Sequence, residues 1–304
     1  MSSRHPRADG DPITRNRAAA LAGAALVFLI GSVHAATPAA WTQDQKPFRI
    51  YGDTYYVGTH GLGSILVTGD SGHVLIDGDL PESAPMIATH IRDLGFRVED
   101  VKLILNTHVH FDHAGGIAEL QKLTGARVVA SEPSAKVLRD GRSGKDDPQY
   151  ASLPPITRVA NVEVVADGGT VRQGSLQLTA HLTPGHTPGG TTWTWKSCEK
   201  TRCLDVAYVD SLNPIASRGF LFSDGAHAAA RDGFARSYET LKAIPCDILV
   251  TPHPEVSDLW GRLARREQGD ADALVDRAAC GRLADAARQQ LEARVDAERA
   301  GRVR

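Results

Sequence analysis

Much that would assign this chain to a common class is missing. No Cys-x-x-Cys pair occurs among its four cysteines, which speaks against a thiolate zinc ribbon or a thioredoxin-like redox motif. Positive charge is not in excess: 34 Lys and Arg stand against 36 Asp and Glu. Residues 1–35 carry four Arg and two Asp, so the rest of the chain stands at −4. Such a balance leaves no basic surface for nucleic acid. The longest apolar run, residues 18–30, has thirteen residues and is too short to span a bilayer. There is no internal repeat and no low-complexity tract. With 42% hydrophobic and 23% charged residues, the remainder reads as an ordinary folded protein.

The short apolar run has another use. Arg15 and Arg17 precede it, and Val33-His34-Ala35 offers small residues for cleavage after it. Residues 1–35 therefore read as a secretory signal peptide rather than a membrane anchor. No cysteine lies near the cleavage site, so a lipoprotein is not supported. Residues 1–14 are long and polar for such a leader, which is consistent with a start codon further downstream. The mature chain, 36–304, is expected in the periplasm, free of the membrane, as a single domain and a monomer. An even set of four cysteines in an oxidising compartment is expected to close as two disulfides.

Against this background one histidine cluster stands out. The run Asn106-Thr107-His108-Val109-His110-Phe111-Asp112-His113-Ala114-Gly115-Gly116 places three imidazoles and a carboxylate within six residues. These are ligand types that zinc prefers. His186, in Thr183-Pro184-Gly185-His186-Thr187-Pro188-Gly189-Gly190, and His253, in Thr251-Pro252-His253-Pro254, lie in Pro/Gly-rich loops able to hold a ligand rigidly. Residues 101–107 read as a buried strand. In extended chain His108, His110 and Asp112 share a face, and His113 breaks the alternation. Residues 114–124 then supply a turn and a helix bearing Ile117, Leu120 and Leu123, so the motif is a strand-to-helix elbow. His60, His73, His90, His181 and His227 are isolated and read as ordinary hydrogen-bonded histidines.

Strands are predicted over 49–57, 64–68, 73–76, 101–107, 128–130, 162–165, 170–171, 176–182, 191–195, 205–209 and 247–250. Helices are predicted over 81–94, 131–138 (with Ser131 as a cap), 234–244, 259–267 and 271–295. Residues 139–155, with two glycines and three prolines, suit a long ordered loop. Trp193 and Trp195 alternate with threonines and are expected in the core, and the tail from Asp296 is expected to fray. The order of strands then helices, twice over, says mixed α and β.

At the His-x-His-x-Asp-His run the chain resembles the metallo-β-lactamase superfamily, and within it the third subclass of the class B β-lactamases. The resemblance implies a four-layer αββα sandwich with the site at the edge between its two sheets. It implies two Zn²⁺ ions, one held by His108, His110 and His186, the other by Asp112, His113 and His253. Asp112 would also orient the attacking water. The activity implied is hydrolysis of the β-lactam amide bond of penicillins, cephalosporins and carbapenems by a zinc-held hydroxide, conferring resistance. The substrate is a small molecule, and Ser211, Asn213 and Thr187 are its candidate contacts. Asp77 is either a buried support of the site or a turn residue. By the same resemblance Cys246 pairs with Cys280 and Cys198 with Cys203. The longer loop would contribute ~3 kcal/mol in the chain-entropy view. Lactonases and glyoxalase II-like thioesterases of the same superfamily bridge their metals with an Asp. Asp210 beside Ser211 leaves that alternative open.

Overall fold

The computed structural model describes residues 37–303, so the signal-peptide segment lies outside the described residues. The first half builds a seven-stranded sheet in chain order: β1 (Phe48–Tyr51), β2 (Thr54–Tyr56), β3 (Ile65–Val67), β4 (His73–Ile76), β5 (Val101–Leu105), β6 (Arg127–Ala130) and β7 (Val162–Val164). Its first four strands are antiparallel neighbours, and β4 to β7 run parallel. The crossovers from β4 to β5 and β5 to β6 carry helices α1 (Ala84–Asp93), α2 (Phe111–Ala114) and α3 (Ile117–Thr124), and α4 (Glu132–Asp140) follows β6. The second half builds β8 (Thr170–Gln173), β9 (Leu176–Leu182), β10 (Thr191–Glu199), β11 (Arg202–Tyr208) and β12 (Ile248–Val250) in the order β12-β11-β10-β9-β8. Helices α5 (Ala228–Ala243), α6 (Leu259–Glu267) and α7 (Ala279–Arg299) complete the chain.

Side-chain alternation sorts these elements into layers. On β3, Ile65 and Val67 face one core while Leu66 faces another; on β5, Leu103 and Leu105 part from Val101 and Ile104 in the same way. The first set meets Leu178, Trp193, Trp195, Val206 and Tyr208 of the second sheet. The opposite face of the first sheet packs on Ile87 and Ile91 of α1, Ile117 and Leu120 of α3, and Leu138 of α4. The outer face of the second sheet, through Ala207 and Leu249, packs on Phe234 and Tyr238 of α5 and Ala284 and Leu291 of α7. Helix, sheet, sheet, helix is the αββα sandwich expected. The central strands β3, β4 and β12 are buried on both faces, which explains why they read as continuous Val/Ile/Leu runs.

Several boundaries differ from the sequence reading, each for a local reason. The helix foreseen from residue 81 opens as a 3₁₀ turn, Pro81–Ser83, before α1. Ser131 occupies the cap position of α4 but does not cap it; its hydroxyl donates to Gly189 O at 2.6 Å. Leu123 is exposed rather than packed. The final helix starts later, at Ala279, and persists through Arg299 instead of fraying at Asp296. Glu298 is what holds it: its carboxylate is buried and accepts from Arg294 Nε at 2.6 Å and Ser223 N at 2.7 Å. The two tryptophans lie in the core, and the five isolated histidines are each hydrogen-bonded. Among the described residues no helix is long and apolar enough to cross a membrane.

Two disulfides are present, Cys198–Cys203 across the β10–β11 hairpin and Cys246–Cys280 joining the approach to β12 to the start of α7. The second spans 34 residues of sequence, the first only 5. Replacing Cys246 and Cys280 together by Ser is expected to cost about 3 kcal/mol, lowering the melting temperature by roughly 6–12 °C in a thermal melt. The Cys198/Cys203 pair should cost less, because the hairpin ladder already pins that turn.

Candidate metal centre

The candidate ligands all leave the carboxyl ends of strands. His108, His110, Asp112 and His113 follow β5, His186 follows β9, and His253 follows β12. Asp77 and Asp79 follow β4, and Asp210 and Ser211 follow β11. The two sheets are stitched together at that rim: Thr191 N donates to Thr107 O at 2.8 Å, and Trp193 Nε1 donates to Asn106 O at 3.0 Å. A crevice beyond the carboxyl ends of strands is where α/β proteins place ligands.

The elbow is built differently from the extended-chain expectation. β5 stops at Leu105, and α2 begins at Phe111, so Asp112 and His113 sit on a helical turn and not on a strand face. The turn divides the motif. His108, His110 and His186 form one group whose ligand atoms lie within 4.8 Å of one another. His108, Asp112 and His113 meet the same limit, so the two groups are contiguous. His253 Nε2 approaches from the other sheet, 3.2 Å from His113 Nε2 and 3.6 Å from Asp112 Oδ2; Asp112 Oδ2 is 3.3 Å from His113 Nε2. Tetrahedral zinc with bonds of about 2.0–2.1 Å needs ligand atoms about 3.4 Å apart, and these three edges match it.

The outer nitrogens support the same fit. His186 Nδ1 donates to Asn213 O at 2.9 Å, which leaves Nε2 its lone pair. His108 Nδ1 lies 2.7 Å from Asp210 Oδ1, and His110 Nε2 lies 3.1 Å from Asp147 Oδ2. His253 Nδ1 reaches Gly61 O at 3.4 Å. His108 Nε2, fully buried, has no hydrogen-bond partner. A buried imidazole nitrogen without a partner, turned toward other imidazoles, suits a cation. The donor set therefore fits zinc at both groups.

Electrostatics follow burial. Burial drives His108 well below the usual imidazole range and, with His110 beside it, pushes His186 down to about 3. Burial and the facing His113 push His253 down to about 4. These rings are neutral at pH 7, the form that ligates. Burial would raise Asp112, but His113 and His253 outweigh it and hold its carboxyl well below the ordinary range. Asp77 hydrogen-bonds to residues of the elbow and not to an imidazole. Its φ is +65°, and its carboxylate accepts from Thr107 N (2.8 Å), Thr107 Oγ1 (2.7 Å) and Asn106 Nδ2 (3.0 Å). It pins the end of β5 from which the motif hangs, and burial pushes it up to about 6. Asp79 is pushed up to about 7 by burial and accepts from Ser64 Oγ and Thr59 N.

The candidate substrate residues are not all together. Ser211 and Asn213 line a cavity of about 220 Å³ with His253 and the α7 residues Leu283, Ala287 and Gln290. Thr187 is fully buried beside His186, its hydroxyl unpartnered, and does not line that cavity. Asp210 lies behind His108, on the ring nitrogen turned away from His110 and His186. Three neighbours went unnoticed in the sequence. Asp147 and Gln149 come from the long loop, where Gln149 Nε2 is 3.4 Å from both His110 Nδ1 and His186 Nε2. Trp41 packs its ring 5.5 Å from that of His253. The composition of residues 139–155 marked a long ordered loop; nothing in it singled out Asp147.

The sequence pattern of the metallo-β-lactamase superfamily matches residues 24–198, more than half the chain. This chain belongs to the metallo-β-lactamase superfamily. The match includes every candidate ligand except His253. In structure, this superfamily member is similar to the Rm3 metallo-β-lactamase, with a TM-score of 0.84 and 52% identity over 86% of this chain and 97% of that one. It is also similar to MEM-A1, a subclass B3 metallo-β-lactamase isolated from a soil metagenome library, with a TM-score of 0.83 and 50% identity over 86% and 99%. Among curated sequences, a hydroxyacylglutathione hydrolase of a Bradyrhizobium species is 29% identical over 66% of this chain and 65% of that protein. One from Rhodopseudomonas palustris is 36% identical over 36% and 33%. The chain thus spans between a third and two thirds of the length of these curated relatives. The superfamily and the two His-rich groups together support binding of a zinc-type metal.

The ring behind the ring gives a test. Gly190 packs so close to Asp210 that a Cβ there would overlap Asp210 Oδ2 and Thr183 O. Asp210→Ala is expected to weaken zinc binding 10–100-fold. Gly190→Ala, which touches no ligand, should weaken it in the same direction by displacing Asp210. Competition against a chromophoric chelator measures both; unchanged affinity in both variants would break the link.

Proposed function

We propose that the protein is a di-zinc β-lactamase that opens the β-lactam amide bond of penicillins, cephalosporins and carbapenems, and so confers resistance to them. It acts in the periplasm, after loss of residues 1–35, as a single-domain monomer. The observation that carries this reading is the pair of adjacent ligand groups. They sit on a fold that matches subclass B3 enzymes over nearly their whole length at about half identity. The contacts on the outer nitrogens support His108, His110 and His186 as ligands of one ion, and the three matched edges support Asp112, His113 and His253 as ligands of the other.

Bound zinc supplies water with a pKa near 7 and polarises a carbonyl oxygen. The chain's residues do the rest. Asp112 stays ionised throughout the neutral range; one of its oxygens would hold the metal and the other would orient the attacking water, whose proton ends on the amide nitrogen as the C–N bond breaks. Ser211 and Asn213, on the cavity wall next to His253, donate to the carboxylate that β-lactams carry beside the amide nitrogen. That contact fixes the scissile bond over the ligand groups, and Ser211 works by binding, not as a nucleophile. Asp210 on the outer nitrogen of His108 supports the β-lactamase reading over one in which an Asp bridges the metals, as in a lactonase or thioesterase.

The test is hydrolysis of a carbapenem and a cephalosporin by the mature protein, with and without a zinc chelator. Chelator-sensitive turnover at about 10⁴ M⁻¹s⁻¹ or more is expected. Zinc-loaded protein that spares both lactams yet cleaves a glutathione thioester or a lactone would overturn the proposal. Ser211→Ala should raise KM about tenfold with little change in kcat, the loss of one hydrogen bond to a charged group.

A further inference from the structure

Residues 142–155 form a loop that is exposed along most of its length; only Asp147 and Pro148 are buried within it. Buried charge in an otherwise solvated loop needs a partner. Asp147 has one: its Oδ2 lies 3.1 Å from His110 Nε2, and both side chains are at most 4% exposed. Its Oδ1 accepts from Gln149 N at 2.8 Å, so the same carboxylate folds the turn that follows. That turn carries the Gln149 amide to the inner nitrogens of His110 and His186. Beyond it, Ser217 N donates to Pro148 O at 2.8 Å and the Ser152 and Ser217 hydroxyls meet at 2.7 Å, which joins the loop to the segment after Ser211 and Asn213.

The geometry points to Asp147 as a positioning residue that couples the order of the 142–155 loop to occupancy of the first zinc position. A cation on His110 Nδ1 draws charge out of the ring and makes its Nε2–H a better donor, so the Asp147 contact tightens when metal is bound. Coupling is reciprocal: an ordered loop, by holding Asp147 in place, holds the His110 ring at its ligating angle. The loop and the metal therefore stabilise one another.

The inference rests on the zinc reading of the site, and hydrogen exchange with metal titration tests the two separately. In the wild-type protein, zinc should slow amide exchange at Gln149, Tyr150, Ser152 and Leu153 about tenfold. Asp147→Ala should abolish that dependence and weaken uptake of one of two zinc ions 10–100-fold, leaving the other unchanged. Asp147→Asn, which keeps an acceptor of the same shape without its charge, guards against simple misfolding and should retain the loop protection while weakening that ion by a smaller factor. Wild-type protein that binds two zinc ions but exchanges the loop equally with and without them overturns the inference and spares the zinc reading. Wild-type affinity for both ions in both variants does the same. A wild-type protein that takes up no zinc overturns both.

Discussion

The site depends on imidazoles that have already spent one nitrogen on the protein. His108, His110, His186 and His253 each direct an outer nitrogen to a fixed oxygen: Asp210, Asp147, the Asn213 carbonyl and the Gly61 carbonyl. A ring held on one side presents its other nitrogen at a set angle and in a set tautomer. The cost is several carboxylates and carbonyls buried under a shell of apolar packing, and each is offset by the ring it orients. Assembly of the cluster is thus largely a problem of aiming the back of these four rings; His113, whose Nδ1 has no partner, is placed by its position on α2.

The sandwich solves that problem with strand ends. Each ligand leaves a strand with at least one face buried in a core, so a one-residue slip in register would turn that face to solvent. Asp77 fixes the end of β5, and the hydrogen bonds from Thr191 and Trp193 tie that end to the second sheet. His108 and His186, from different sheets, consequently meet with ring centroids 4.9 Å apart.

The ligand types were legible because chemistry is local: three His and an Asp within six residues have few other uses. The layers were legible only through resemblance, since alternation of β and α leaves the stacking of sheets open. Geometry within the motif was not. The expectation of one shared face for His108, His110 and Asp112 fails because the backbone turns helical at Phe111, a choice favoured by packing of α2 beneath the site. Asp147 was hidden because its partner is 37 residues away and its neighbours are exposed charges that look alike in sequence. Glu298 was hidden for the same reason: one buried carboxylate in a charged helix end differs from its neighbours only in three dimensions.

That last residue has a bearing on how the molecule comes into being. Glu298 grips the backbone at Ser223, and Cys280 on the same helix is covalently joined to Cys246 just ahead of β12 and His253. The wall around Ser211 is therefore finished by α7, through Leu283, Ala286, Ala287 and Gln290. A chain synthesised from its amino end presents His108 long before the helix that lines the far side of the cavity. Closure of the site therefore waits on docking of α7, long after the first ligands exist.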